Sequence, residues 1–210
     1  MNSSEYDRAS DTYRAFKALG SKRGKTIEDE LRLGELEFHL GLHYDEKVGV
    51  FIPGINLKEL IRSAATKYRK GEEIRRSLIV PDYRIPLIYD GPRTPAELYA
   101  QGYYDTRMVA NAGAGSGRVP RTRPAFEEWA IETDIAFDPE DLDDDLVQNA
   151  IDRSTKYGFG DGRSIGFGAF EPTLTFLRRQ SKVSKADAVK APNGRAKTNL
   201  AAATSRILSS

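Results

Sequence analysis

Between Trp129 and Phe137 the chain alternates: Trp129, Ile131, Thr133, Ile135 and Phe137 are separated by Ala130, Glu132, Asp134 and Ala136. Successive side chains of a strand point to opposite faces, so this run predicts a strand with one buried face and one more polar face. A half-buried strand needs a second layer over its apolar side. The rest of the chain offers amphipathic helices for that role.

The clearest is NLKELIRSAATKYRKG. Asn56 is its expected cap, Glu59 the reciprocal position and Gly71 its stop. Leu57, Leu60, Ile61, Ala64, Ala65 and Tyr68 form the expected buried stripe. Lys58, Arg62 and Arg69 fall within about 40° of one another on another face, given 3.6 residues per turn, and make a basic ridge. Residues 10–20 suit a short helix with Ser10 or Asp11 as cap, Tyr13, Phe16 and Leu19 on one side, and Gly20 as the stop. Thr26 and Asp29 resemble a capping box. Ile27, Leu31, Gly34, Phe38 and Leu42 then repeat at helical spacing and predict a helix over 26–41.

Two runs, SLIV at 77–80 and RIPLIY at 84–89, read as strands around the turn PDY. After Phe137, Asp138 is the expected cap of a helix with Pro139 at its first position and acids in its first turn. Leu142, Leu146, Val147, Ala150 and Ile151 are its core side. Short strands are expected near 166–170 and 173–178. From Ser181 the chain is rich in Ala, Ser and Lys with few large apolar side chains, so residues 181–210 read as a basic disordered tail. Together these elements predict an α+β fold in one domain over 1–180.

Composition narrows the chemistry. The net charge is +1, so any basic face is local and balanced by acids elsewhere. With no cysteine there is no disulfide and no thiolate chemistry. No apolar run reaches the ~18 residues of a membrane span, and the start lacks a signal-peptide pattern. A soluble, cytoplasmic protein is the expectation. His39 and His43, the only histidines, are four apart, and on a helix would share a face. Glu35 or Glu46 could complete a site with them, but the pair lacks the HExxH form and no cysteine or third histidine supports it, so no metal is expected. The acidic run EDLDDD has neither the alternation nor the glycine of a calcium loop.

The stretch YGFGDGRSIGFGAF places glycines at 158, 160, 162, 166 and 168. It has no lysine for a P-loop, and it follows a helix and enters a strand, the reverse of a dinucleotide fingerprint. No cofactor is expected. Its backbone can adopt positive φ and let another chain come close, with Arg163 supplying charge. Residues 103–123 hold a flexible Gly/Ala/Ser segment followed by Arg118, Arg121 and Arg123 in RVPRTRP, where proline stiffens the presentation of the guanidinia. Such groups grip phosphate in a bidentate manner or stack on a base.

Two of these stretches resemble one family. FIPGINLKELIRSAA (51–65) is similar to the IPG-x-x-[LI]-K-x-x-[IL]-R start of the first long helix in RAMP-superfamily CRISPR proteins, and YGFGDGRSIGFGAF is similar to their C-terminal glycine-rich loop. The resemblance runs from about Phe51 to Glu171 and is closest to backbone subunits that polymerise along guide RNA. The whole chain also resembles phage-encoded RAMP-like proteins with an RTRP run followed by F-x-x-W, here Arg121 to Trp129. It implies a modified ferredoxin-like, RNA-recognition-type fold with a flexible hairpin. It also implies RNA held by Lys58 and Arg62 on the helix and by Gly160, Gly162, Arg163 and Gly166 in the loop. The 111–123 segment would correspond to the hairpin that some subunits insert between bases. The family's first strand has no counterpart ahead of the first helix. No residue matches the aspartate with which some type III subunits cleave RNA.

The resulting expectation is a non-catalytic protein that binds single-stranded RNA, or DNA, with copies of itself or CRISPR effector subunits as further partners. Phosphates would be neutralised by Lys58, Arg62 and Arg163, with Arg118, Arg121 and Arg123 positioning or stacking on the strand. The alternatives are a phage-encoded module that mimics or blocks a CRISPR complex, and a weak endoribonuclease using Asp7 or Asp11.

Overall fold

The computed structural model describes residues 10–110, 117–160, 163 and 167–177, together with the backbone of a strand at 202–208. The fold is mixed, with helices and small antiparallel sheets. The described residues fall into two compact units: the first within 10–53 and 84–130, the second within 54–83 and 131–208.

The first unit begins with two helices, α1 (Asp11–Ser21) and α2 (Ile27–Gly41). Ser10 caps α1 by accepting from the Tyr13 N–H. Thr26 and Asp29 close a complete capping box on α2. The expected apolar stripe of α2 holds only in its second half. Phe38 and Leu42 are buried, whereas Ile27 and Leu31 are 74% and 65% exposed. After α2 come β1 (Tyr44–Asp45) and β2 (Gly49–Pro53), and β2 pairs antiparallel with β4 (Arg84–Pro86). A short helix, α5 (Pro95–Ala100), leads into a hairpin of β5 (Tyr104–Ala110) and β6 (Arg118–Pro124). Leu36, Phe38, Leu40, Leu42, Val50, Ile85, Leu87, Tyr89 and Leu98 are buried apolar residues of this unit.

The second unit starts with α3 (Gly54–Ala65), which follows β2 without a break, so Asn56 lies inside the helix and is not its cap. The Gly54 N–H donates to the Tyr83 carbonyl at 3.0 Å. A 3₁₀ turn, Thr66–Tyr68, ends in Arg69 with φ of +60°. Helical geometry therefore stops before Arg69, and Tyr68 is 43% exposed. Gly71 starts the next helix, α4 (Gly71–Ser77), and stops nothing. The expected hairpin around PDY does not form: β3 (Leu78–Ile79) pairs with β7 (Ile131–Phe137), and β4 pairs with β2.

Strand β7 shows the expected alternation from Ile131 to Ile135 and buries Phe137, but Ala136 on the other face is buried too, and Trp129 lies ahead of the strand and is only partly buried. The following helix, α6 (Asp144–Ser154), is capped by Asp143, which accepts from the Leu146 N–H at 2.6 Å. Asp138 instead accepts from the Glu140 N–H in a tight turn ahead of it. Strand β8 (Glu171–Leu174) and β9 (Ala202–Leu208) complete a sheet of order β3-β7-β9-β8. Strand β9 departs from the expectation of a disordered tail over 202–208; residues 181–201 lie outside the described residues. Averaging composition over thirty residues hides the short run ATSRIL, whose Thr204 and Ile207 suit a strand. Its register sets Ile207 opposite Ile131 on one side and Pro172 on the other. No described helix is long and apolar enough to cross a membrane.

Candidate nucleic-acid interface

Three of the expected cations sit on one strand of the first unit. On β6, Arg118 is exposed, while Arg121 and Arg123 are partly covered. Both turn to the same carboxylate, Glu37 of α2. Arg121 Nη1 lies 2.7 Å and Arg123 Nη1 3.1 Å from Glu37 Oε1. The other oxygen, Oε2, accepts from the Thr122 backbone N–H at 2.8 Å. The Glu37 side chain is only 10% exposed, while Arg121 and Arg123 keep 38% and 31%.

The local reason for this arrangement is strand-edge chemistry. Thr106 and Thr122 stand opposite each other in the hairpin, with their hydroxyls 3.0 Å apart. The Thr122 N–H points away from β5 to Glu37, so it is an edge donor, and a buried edge donor needs an acceptor. Helix α2 supplies it from close range because Gly34, one turn before Glu37, carries no side chain. A Cβ at Gly34 would come within 2.9 Å of Thr122 Oγ1. The buried carboxylate thus caps a strand edge and at the same time fixes two guanidinia.

The hairpin is basic as a whole. Arg107, Arg118, Arg121 and Arg123 stand against one acid, Asp105, which pairs with Arg107. At the hairpin base Tyr99 and Tyr104 stack with centroids 4.8 Å apart, and burial raises the Tyr99 phenol pKa above its ordinary value.

The remaining expected residues fall in the second unit. Lys58 and Arg62 share a face of α3, and Arg62 Nε is 2.7 Å from Glu59 Oε2 in a local i,i+3 pair. Arg69 does not extend their ridge, because the helix has ended. Arg163 is exposed. Gly160 has φ of +80° and nothing near its missing side chain. Gly162 and Gly166 lie outside the described residues. The tightest glycine of the loop is Gly168, with φ of +68°, where a Cβ would collide with the Phe159 carbonyl oxygen. Its own carbonyl accepts from the Phe159 N–H at 2.9 Å, and the Phe159 and Phe170 rings meet at 5.1 Å. At that point the close approach is the loop to itself.

The chain matches no family model, no curated protein and no solved structure.

The histidines do not share a helix face: His39 lies in α2 against Phe38 and Tyr99, and His43 lies past its end against Phe51. Burial lowers both pKa values, that of His43 to about 4. Among the described residues no group of three potential ligands is placed to hold a metal ion. Asp11 is an exposed first-turn residue paired with Arg14, and Asp7 lies outside the described residues. Glu37 is the residue that sequence reasoning missed. Its one signal is the spacing Gly34–Glu37–Gly41, an acid flanked on one helical face by residues that let another backbone come close.

Proposed function

We propose that this protein binds single-stranded nucleic acid, RNA in the first instance, without catalysing a reaction on it, in the manner of a CRISPR effector backbone subunit. The observation that supports this reading is the pair Arg121 and Arg123, oriented by a buried carboxylate while their side chains keep about a third of their surface exposed. A guanidinium held in place loses less freedom on gripping a phosphate than one on a free side chain. Arg118 extends the same strand toward the hairpin tip. Lys58, Arg62 and Arg163 act as further phosphate contacts, and the glycine loop with Gly160, Gly162 and Gly166 lets the strand pass close to backbone.

The ferredoxin-like reading is part of the same proposal. Taken alone, β2, α3, β3, β7, α6 and β8 follow the β-α-β-β-α-β succession of that fold. However, α4, β4, α5 and the β5-β6 hairpin intervene, β2 lies in a different sheet from the other three strands, and β9 takes the place beside β7. A second reading has one observation in its favour: Ile27 and Leu31, exposed one turn apart on α2, suit a protein partner such as a CRISPR effector subunit.

Fluorescence anisotropy with a labelled single strand of about 30 nucleotides tests the proposal, that length covering more than one ~4–16-nucleotide site. The expected result is binding at low salt that weakens linearly on a logarithmic salt scale. Absence of binding at low salt to either RNA or DNA leaves the partner-binding reading in its place.

A further inference from the structure

Helices α1 and α2 and strand β6 enclose a groove of about 310 Å³ in the first unit. One wall is aromatic and apolar: Tyr13 and Phe16 of α1, with Leu40 of α2. The other carries Arg121 and Arg123, with Lys17 at the edge and Glu37 in the floor. Three cations stand against one carboxylate, and both oxygens of that carboxylate already accept hydrogen bonds. Lys17 Nζ lies 5.6 Å from the centroid of the Tyr13 ring, so one cation borders the aromatic wall directly. Helix α1 buries none of its residues, and Tyr13 and Phe16 remain partly exposed along the groove.

An aromatic wall facing a cationic wall across a space of this size fits a ligand that is flat at one end and anionic at the other. We infer that this groove seats one nucleotide of a bound single strand, with its base on Tyr13 and Phe16 and its phosphate on Arg121, Arg123 and Lys17. This rests on the proposed strand binding and adds to it a base-stacking position on α1, a helix outside the stretch that carries the family resemblance. Stacking is tolerant of sequence because every base has a π face, so the groove holds any base. Glu37 acts here as a positioning residue: it aligns the two guanidinia and does not touch the strand.

The test combines substitution with crosslinking on the full chain. Tyr13→Ala and Phe16→Ala should each weaken binding of a labelled 30-nucleotide RNA roughly 5- to 150-fold, the range of one base–aromatic stack. The slope of log affinity against log salt should not change, because no cation is removed. Tyr13→Phe should restore wild-type affinity, and Lys17→Gln should lower the slope by about 0.7. Thermal midpoints within ~2 °C of wild type establish that the variants fold. Independently of any variant, a strand carrying 4-thiouridine should crosslink on irradiation to the peptide containing Tyr13 and Phe16. If wild-type protein binds the strand but crosslinks only elsewhere, or if both alanine variants bind as wild type does, the groove assignment is wrong and the strand-binding proposal stands. If wild-type protein does not bind the strand at all, both fall together.

Discussion

Both units carry local helical ion pairs, such as Arg14 with Asp11 and Arg32 with Glu35 in the first, but among the described residues they differ in one respect. In the first, Arg121 and Arg123 are held by a carboxylate more than eighty residues away in sequence and nearly removed from solvent. In the second, the cations pair within their own helices: Arg62 with Glu59, Lys70 with Glu73, and Arg75 and Arg76 with Glu72. Those are solvated i,i+3 and i,i+4 pairs, weak and screened by salt. The anchored arginines are placed by the tertiary fold, whereas the helical ones are placed only by helix geometry. Cations fixed by the fold are the better candidates for holding a ligand, because their positions survive when the ligand is absent.

The largest effect that sharpens this contrast concerns the second unit's sheet. Deleting Ala202–Leu208 removes the strand between β7 and β8 and leaves backbone groups on both without partners. The thermal midpoint should fall by ~8 °C or more, equivalent to roughly 3 kcal/mol in a chain of this size. A midpoint within ~2 °C of wild type would show that β9 contributes nothing to the unit.

Next comes the anchor itself. Glu37→Ala leaves Arg121, Arg123 and the Thr122 N–H without their shared acceptor. Breaking a buried ion pair costs about 3–5 kcal/mol, and because both guanidinia stay about a third exposed the expected loss is nearer 2 kcal/mol. Glu59→Ala, which breaks the corresponding pair in the second unit, should cost no more than about 0.5 kcal/mol. Urea denaturation of both variants measures the difference. Equal losses would erase the distinction between anchored and solvated cations.

A smaller effect lies in pH. Burial holds His43 at about 4 in the folded chain against 6.5 for the exposed group, and lowers His39 in the same direction. The unfolded chain therefore binds more protons between pH 6.5 and 4, and stability falls as pH drops through that window. Above pH 6.5 both states are neutral and the contribution is constant. His43→Gln should flatten the decline between pH 6.5 and 4. Identical pH profiles for variant and wild type would mean that His43 is solvated in the folded chain.

What was legible in the sequence is what local chemistry decides. The Thr26–Asp29 capping box needs only residues three apart, and it formed as read. The alternation of Ile131, Thr133, Ile135 and Phe137 states which face is buried, and it is. Period-2 patterning does not say which strand lies alongside, so β3 and β4 were expected together and each found another partner. Several acids precede α6, and Asp143 caps it because the helix starts at Asp144, while Asp138 closes a turn further ahead. The arginines of RVPRTRP were legible as a basic cluster. Their anchoring was not, because Glu37 reads as one more polar residue on a helix until β6 is laid against it.

The central claim is that cations anchored on β6, more than those on α3, hold the strand. The direct measurement is the salt dependence of single-strand binding by two variants. In one, Arg118, Arg121 and Arg123 are changed to Gln together with Glu37→Gln, so that no buried carboxylate is left uncompensated. In the other, Lys58 and Arg62 are changed to Gln. Each lost phosphate contact lowers the slope of log affinity against log salt by about 0.7. The β6 variant should therefore lose up to about 2 from the slope, and the α3 variant at most about 1.4, with both retaining wild-type circular dichroism. A slope unchanged by the β6 substitutions, or reduced more by the α3 pair, would contradict the account.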